Sequence, residues 1–243
     1  MDFALSEDQL ELKQAARAWL ADRFPLDRDW DTQDDRWSEL RELGWLDVAE
    51  AGLGFVEEAL LLEELGYVCY PGFYLGHVAS IAGDGDDATV DPTRRLHRVD
   101  ETPRFRAAAA AEALGVAQRA LDLGVEHATT RTQFGKAIGT YQAVSHPLAQ
   151  TYTDVELARS LVYWAAWCVA EEDERAPLAA AAAKAFSAEA AVTACERSIQ
   201  VHGGIGFTWE HPLHRFYKRA IWLEGVGARP AELRLEVAEA LLA

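Results

Sequence analysis

The chain has 243 residues, of which 50% are hydrophobic, enough apolar material for one large domain or two small ones. Its 40 acidic residues outnumber 23 basic residues, so the formal net charge is -17. A surface this negative repels phosphate backbones and anionic headgroups, which excludes nucleic-acid binding as a general property. Any pocket for a polyanionic coenzyme must therefore gather cations locally.

The first residues and the cysteines predict a cytoplasmic protein. The start, MDFALSEDQLEL, carries acids where a signal peptide carries bases, and it has no long apolar core. The longest apolar run, around 161–170, is too short for a bilayer, which takes about 20 residues to cross. Cys69, Cys168 and Cys195 lie in apolar or helical stretches without paired spacing, which predicts reduced, mostly buried thiols. We therefore expect no membrane association.

Four helices are predicted in residues 1–82, the expected N-terminal helical domain. Ser6 and Gln9 form a capping-box pattern, and apolar residues then recur at helical spacing as far as Pro25. Further helices are predicted at 37–44, 55–66 and 74–81, with Gly66 as the stop of the third. These segments predict a small helical bundle.

Residues 83–103 break the helical pattern with glycine, aspartate, threonine and proline, and they predict a linker. One short strand at 93–99 would be marginal without partners. Beyond the linker, a domain at 104–243 is predicted, with helices at 106–130, 141–172, 177–201, 211–223 and 230–242. Three are long enough for an up-and-down bundle, and the alanines of 179–185 would allow close packing. The expected fold class is all-α.

Two segments carry residues that scaffolding does not explain. The first is RTQFGK at 131–136, with Gln142 after it, and the second is QVHGGIGF at 200–207. Glycines allow a ligand to approach the backbone, and an arginine can neutralise a phosphate through a forked contact. Considered singly, each has an ordinary explanation, because helices often end in glycine and arginines are usually solvated.

Several segments in one order resemble the acyl-CoA dehydrogenase family: MDFALSEDQLELKQAARAWL, LRELGWL, LEELG, LGVAQRALDLGVEHATTRTQFGKAIGTYQAV and QVHGGIGFTWEHPLHRFYKRA. The resemblance implies an N-terminal helical domain and a C-terminal four-helix domain, normally separated by a β-domain. It also implies FAD, an acyl-CoA thioester as substrate, and a glutamate that removes the α-proton as hydride passes to the flavin.

The resemblance also assigns site residues. One set matches positions that touch the flavin dinucleotide, and a second matches its ADP half. The first set is Arg131, Gln133, Phe134 and Gln142; the second is Gln200, Gly203 and Gly204. In the family these residues reach a flavin held mainly by a neighbouring subunit. Arg106 matches an arginine beside the acyl chain of the substrate, and it could equally be a surface charge at the start of a helix.

Two parts of the family pattern are missing. The linker at 83–103 is too short for the β-domain that covers the flavin ring, and 92–99 resembles a remnant of its last strand. The catalytic glutamate is also not identifiable. Glu224 lies too close to Tyr217 for the family spacing, Phe105 occupies the position of an alternative glutamate, and Glu112 lies two turns further along the same helix, where a structural role is expected.

The missing parts predict a subunit of a heteromeric FAD-dependent acyl-CoA dehydrogenase, which completes the flavin site of a related partner. The ending resembles small or non-catalytic subunits from bacterial steroid and carnitine-type catabolism. Two alternatives stay open. One is a flavin-free isomerase, dehydratase or cyclase that uses histidines as acid–base groups, and the other is a purely structural helical homo-oligomer. The candidate histidines are His97, His127, His146, His202, His211 and His214. No zinc-ligand spacing or hydrolase motif is present.

Overall fold

A computed structural model describes residues 5–31, 34–48, 52–81 and 101–242, and the side chains of 79–81 are not described. The described residues form nine α-helices, two 3-10 helices and one two-stranded hairpin. The predicted all-α class is confirmed. The predicted strand at 93–99 lies outside the described residues, as does nearly all of the predicted linker at 83–103.

The N-terminal helices begin where the sequence predicts. They are α1 (Glu7–Arg23), α2 (Trp37–Glu42), α3 (Phe55–Tyr67) and α4 (Tyr74–Ile81). The capping box is present, since Ser6 Oγ accepts a hydrogen bond from Gln9 N–H and Gln9 Oε1 accepts one from Ser6 N–H. The role predicted for Gly66 is wrong. Helix α3 continues through Gly66 to Tyr67. The glycine is needed there because the backbone of another helix crosses α3 closely at this position.

The C-terminal helices are α5 (Pro103–Thr130), α6 (Gln142–Ala170), α7 (Ala176–His202), α8 (Leu213–Gly225) and α9 (Pro230–Leu242). Helix α5 begins three residues before the predicted start, because Thr102 caps it by accepting a hydrogen bond from Phe105 N–H and Pro103 suits a first turn. The hairpin of β1 (Thr132–Gln133) and β2 (Lys136–Ala137) was not predicted. The 3-10 helices are Ile138–Thr140 and Gly203–Phe207.

Helix α5 lies at the centre of the molecule and packs against α3, α6, α7 and α8. Its alanine-rich side and that of α7 are buried against each other, which brings the two helix axes close, as the alanines predicted. At the crossing of α3 and α5 the backbones touch. A Cβ at Gly66 would lie 2.1 Å from the carbonyl oxygen of Glu112, and one at Gly115 would lie 1.9 Å from that of Glu63. Only glycine fits at either position.

Length and composition alone would let the segment Ala176–Phe207 cross a bilayer, and it is the one described segment that meets both criteria. In the fold, 67% of its most apolar window is buried against other helices. Its composition is therefore explained by its place in the core of the bundle.

Lys184 on α7 is a buried lysine, 1% exposed, at the end of the bundle where α8 stops. Its ammonium group donates to the carbonyls of Val226 and Ala228, in the turn between α8 and α9. Glu101 accepts a hydrogen bond from Ala228 N–H in the same turn. Because these carbonyls need donors, Lys184 holds the turn and with it the start of α9.

Burial lowers the pKa of Lys184 from 10.5 to about 8, although the Glu101 carboxylate opposes the shift. The folded chain therefore binds fewer protons than the unfolded chain between these values. The stability contributed by this residue is fully present above pH 10.5 and is lost as pH falls through 8. As pH rises from 8 to 10.5, we expect the free energy of unfolding of wild type, relative to that of Lys184→Met, to increase by about 1–3 kcal/mol. Urea unfolding of both proteins at a series of pH values measures the difference, and a difference independent of pH would contradict it.

Candidate functional site

The two segments singled out in the sequence lie together at one end of the bundle, where α5 and α7 both finish. The rings of His127 on α5 and His202 on α7 stack with centroids 4.3 Å apart. Arg131 follows His127 by one turn, and its N–H donates to the His127 carbonyl at 2.9 Å. Gly203 follows His202 directly. The segments at 131–136 and 200–207 therefore form one surface, which we call the strip surface.

The first segment forms a tight hairpin. Thr132 pairs with Ala137 and Gln133 with Lys136, which leaves a loop of two residues. Phe134 and Gly135 have φ values of 53° and 80°, as in a type I′ turn. The left-handed conformation is strained for phenylalanine, and the side chain is 93% exposed. A large apolar ring held out in this way is suited to a contact outside the chain.

The second segment presents open backbone. Helix α7 ends at His202 and is capped by Gly203, whose φ of 63° requires glycine, and the chain then turns into the 3-10 helix. A Cβ at Gly204 would meet no atom within 4 Å, so the chain itself does not explain this glycine. Phe207 and Trp209 follow, 74% and 75% exposed. The strip surface is thus rimmed by exposed aromatic rings.

Three polar side chains in or beside the strip surface have no polar partner within the described part of the chain. Among the described residues, Arg131, Gln142 and Gln200 make no side-chain hydrogen bond or ion pair, and all three are exposed. Gln133 donates to the neighbouring Thr132 carbonyl at 2.8 Å. In a chain with a net charge of -17, an uncompensated arginine is a local site for an anion. Six of the seven residues that the resemblance assigns to the cofactor thus lie in the strip surface. The seventh, Gln142, begins α6 directly after Tyr141, whose hydroxyl donates to the Gln133 carbonyl at 3.3 Å.

Three histidines join the two segments from beneath, and sequence reasoning did not group them. His202 lies between His127, at 4.3 Å, and His211, at 4.4 Å. Beside the rings is a cleft of about 250 Å³, also lined by Leu26 and Glu126. The available sequence signal was local: His127 and His202 each occupy the last turn of a long helix.

Burial lowers the pKa of all three histidines, and for His211 it falls from 6.5 to about 4. The other two imidazoles and His214 add to the shift at His211, since neighbouring positive charges would repel. At neutral pH the rings are uncharged. They do not converge on a metal site, since the described residues contain no suitable group of histidine, cysteine or carboxylate side chains.

The two candidate bases lie elsewhere. Glu112 is 3% exposed and accepts a hydrogen bond from Arg219 at 2.5 Å, so it belongs to a buried ion pair. One of its oxygens has no partner among the described atoms. Glu224 is partly exposed near the end of α8, at the opposite end of the bundle from the strip surface. Phe105 is fully buried. Neither carboxylate lies beside the strip surface.

Arg106, the candidate for substrate binding, is compensated within the chain. Its guanidinium contacts Glu101 at 3.0 Å and Glu236 of α9 at 2.6 Å. Burial alone would lower its pKa, but these two carboxylates outweigh burial and hold the pKa above its usual value. Arg106 therefore ties α5 to α9, and a substrate anion would have to displace Glu101 or Glu236.

Comparison with known proteins gives the family. Residues 6–88 match the model of the acyl-CoA dehydrogenase N-terminal domain, and residues 101–227 match that of the acyl-CoA dehydrogenase C-terminal domain. Acyl-CoA dehydrogenase IpdE2 from Mycobacterium tuberculosis is 43% identical over 145 residues, which cover 55% of this chain and 44% of that protein. Probable acyl-CoA dehydrogenase YngJ from Bacillus subtilis is 39% identical over 140 residues, which cover 56% of this chain and 36% of that protein. The chain thus spans less than half the length of these relatives.

Solved structures share the fold. The ChsE4–ChsE5 complex from Mycobacterium tuberculosis superposes with a TM-score of 0.82 at 21% identity, over 100% of this chain and 99% of that chain. Butyryl-CoA dehydrogenase from Megasphaera elsdenii superposes with a TM-score of 0.82 at 18% identity, over the whole of both chains. With both helical domains matched in sequence and the architecture shared, this chain belongs to the acyl-CoA dehydrogenase family.

Proposed function

We propose that this chain is a subunit of an FAD-dependent acyl-CoA dehydrogenase and that it completes the flavin site of a partner chain of the same family. The observation that carries the proposal is the position of the strip surface. Among the described residues, Arg131 and Gln200 make no side-chain hydrogen bond or ion pair, both are exposed, and the backbone is open at Gly204. Such a surface fits the phosphates and the adenine half of a dinucleotide.

The distance between the two ends of the bundle supports a shared site. Helix α5 has 28 residues, which at about 1.5 Å each separate Arg106 from Arg131 by roughly 40 Å. Arg106 and Glu224 lie at one end, and the strip surface lies at the other. Residues so far apart do not serve one reacting centre within a single chain, so the strip surface is suited to a flavin whose ring lies on another subunit.

Within the assembly, this chain would bind and orient the flavin dinucleotide. A bound flavin would supply the hydride acceptor for α,β-desaturation of an acyl thioester. Arg131 would neutralise a phosphate, Gln133 and Gln200 would donate amide hydrogens, and Phe134 would shield the dinucleotide from water. The base that removes the α-proton is assigned to the partner, since neither Glu112 nor Glu224 lies near the strip surface.

The structure gives less support to a flavin-free enzyme. Such an enzyme would use the histidines as acids and bases, but His127, His202 and His211 are packed against one another. Nδ1 of His202 donates to the Ser198 carbonyl at 2.8 Å, and Nδ1 of His211 accepts from Leu213 N–H at 3.3 Å. These rings pack against one another and hydrogen-bond to the backbone, whereas a catalytic acid or base must be accessible to substrate.

The test is co-expression with a full-length relative, followed by the visible absorption spectrum of the purified complex. We expect a yellow complex with wild type. Arg131→Glu should lower the affinity for FAD by about 10- to 100-fold, because one charge-assisted contact contributes roughly 1.5–3 kcal/mol. The matched control is Arg229→Glu, the same change at an exposed arginine in the turn between α8 and α9.

The control should retain its flavin. Equal flavin content in the wild-type complex and the Arg131→Glu complex would indicate a vestigial strip surface and a purely structural subunit. A colourless complex at every FAD concentration would reject the proposal outright.

A further inference from the structure

The histidines beneath the strip surface have a role that the proposed function does not yet use. The rings of His127 and His202 bring the last turns of α5 and α7 into direct contact, and each of these turns leads into one of the two segments. His211 adds the start of α8 to the same contact. Three chain segments are thus joined through three imidazole rings.

We propose that His127, His202 and His211 form a stack of neutral imidazoles that positions the two flavin-contacting segments relative to each other, so that the strip surface binds flavin only while the stack is uncharged. This inference rests on the proposed flavin role of the strip surface. The three histidines are positioning residues, since the side chains assigned to the ligand are those of residues 131, 133, 134, 142 and 200.

The hydrogen bonds define the protonation state that the geometry needs. Nδ1 of His202 lies 2.8 Å from the Ser198 carbonyl, so this nitrogen carries the proton and the ring is oriented by its own helix. Nδ1 of His211 accepts the N–H of Leu213, the first residue of α8, at 3.3 Å. An acceptor nitrogen has no proton. The observed arrangement therefore requires His211 in its neutral form.

A proton on His211 would weaken this arrangement in three ways. It would abolish the hydrogen bond to Leu213 N–H, leaving a helix-terminal donor without a partner. It would place a positive charge at the N-terminus of α8, where the helix dipole disfavours cations. It would also place like charges in adjacent rings if His202 were protonated as well. Each effect loosens the contact between the last turns of α5 and α7, from which the two segments follow.

The surroundings give the stack only limited compensation. The titratable groups that face it are Glu126 from α5, Arg131 directly after α5, and His214 from α8. Glu126 favours the charged form of His202, whereas Arg131 and His214 oppose protonation of His127 and His211. Leu26, from the segment after α1, brings no charge to the cleft. The neutral stack is thus maintained around neutral pH and destabilised in acid.

The sign of the pH effect follows from the lowered pKa values. The stack stabilises the folded arrangement fully above pH 6.5, and the contribution is lost as pH falls toward about 4. We therefore expect the affinity of the complex for FAD to be nearly constant above pH 6.5 and to fall as pH is lowered from there toward about 4, the interval in which the stacked rings gain protons.

The first experiment needs neither flavin nor partner. NMR titration of the histidine rings in the full chain should give pKa values below 6.5 for the three stacked rings. The titration of His202 should also change in His211→Asn, whose amide oxygen can still accept from Leu213 N–H but carries no proton. Three independent titrations near 6.5 would overturn the proposal whatever the flavin result.

The second experiment uses the complex with the partner chain. FAD affinity is measured from neutral to acid pH for wild type, for His211→Asn, and for His146→Gln as the matched control at an exposed histidine of α6. We expect His211→Asn to retain flavin at lower pH than wild type, and His146→Gln to follow wild type. A merely structural histidine would not shift this profile.

The possible failures are distinguishable. Absence of flavin from the wild-type complex at every pH would overturn the proposed function. Flavin bound with the same affinity across the pH range, and equally by wild type and His211→Asn, would overturn the positioning role alone.

Discussion

Replacing Gly115 by alanine is expected to lower the free energy of unfolding by at least about 3 kcal/mol, at the upper end of the usual cost of overpacking. The new Cβ would lie 1.9 Å from the carbonyl oxygen of Glu63 on α3, and that oxygen belongs to a rigid helical backbone. Relief would require α3 to move away from α5, which opens the main contact between the N-terminal helices and the C-terminal bundle. The gain in helix propensity, about 1 kcal/mol, does not offset this.

The measurement is urea unfolding at constant m value, or a thermal midpoint lowered by about 6–12 °C for a chain of this size. Gly225→Ala is the matched control. Gly225 is also a helical glycine, but a Cβ there would meet no atom within 4 Å. It should change stability by no more than about 1 kcal/mol. Equal stability of wild type and Gly115→Ala would show that the helices do not cross this closely in solution.

The fold was largely predictable because its signals are local. Apolar spacing, the Ser6 capping box and proline at helix starts fixed the long helices to within a few residues, since hydrophobic periodicity follows helix geometry directly. Gly66 shows the limit of local patterns. A glycine near the end of an apolar run has the composition of a stop, and only the position of α5 shows that a backbone crossing requires it.

The candidate site was predictable in part. The residues of the strip surface were found through their resemblance to a family pattern, and the structure brings them to one surface. The hairpin was missed because it depends on Phe134 in a left-handed conformation, which sequence rules assign to glycine or asparagine. The histidine stack was missed because His127 and His211 are distant in sequence, and only the parallel packing of α5 and α7 brings them to a common neighbour, His202.

Arg106 shows a different limit. The sequence correctly places an arginine at the start of α5, but it contains no local signal that Glu236, from the far end of the chain, neutralises it. Pairing between distant charges depends on tertiary structure, and the same is true of the buried network around Glu63, which connects three helices.

The second large effect is expected at Glu63, a carboxylate that is 1% exposed on α3. It accepts hydrogen bonds from Lys13 of α1 at 2.7 Å, from Tyr163 of α6 at 2.9 Å, and from Arg159 of α6. Glu63→Gln keeps the shape and removes the charge that Lys13 and Arg159 share. Lys13 is then left with Glu64 at 3.9 Å, and Arg159 with the more exposed Glu156 at 3.3 Å. We expect a loss of about 3 kcal/mol in the free energy of unfolding, at the lower end for a broken buried pair because both cations are partly exposed.

Glu156→Gln is the matched control, because Glu156 also pairs with Arg159, at 3.3 Å, but is 44% exposed. The Glu156→Gln substitution should lower the free energy of unfolding by less than about 0.5 kcal/mol. The pH dependence is a second signature. Burial raises the pKa of Glu63, but Lys13 and Arg159 outweigh it and hold the pKa below 4.5. The stability of wild type over Glu63→Gln should therefore be constant above pH 4.5 and shrink as pH falls further, because both proteins then lack the charge. If Glu63→Gln and Glu156→Gln lower the free energy of unfolding equally, the prediction is wrong, because burial of Glu63 then adds nothing to its interaction with Arg159.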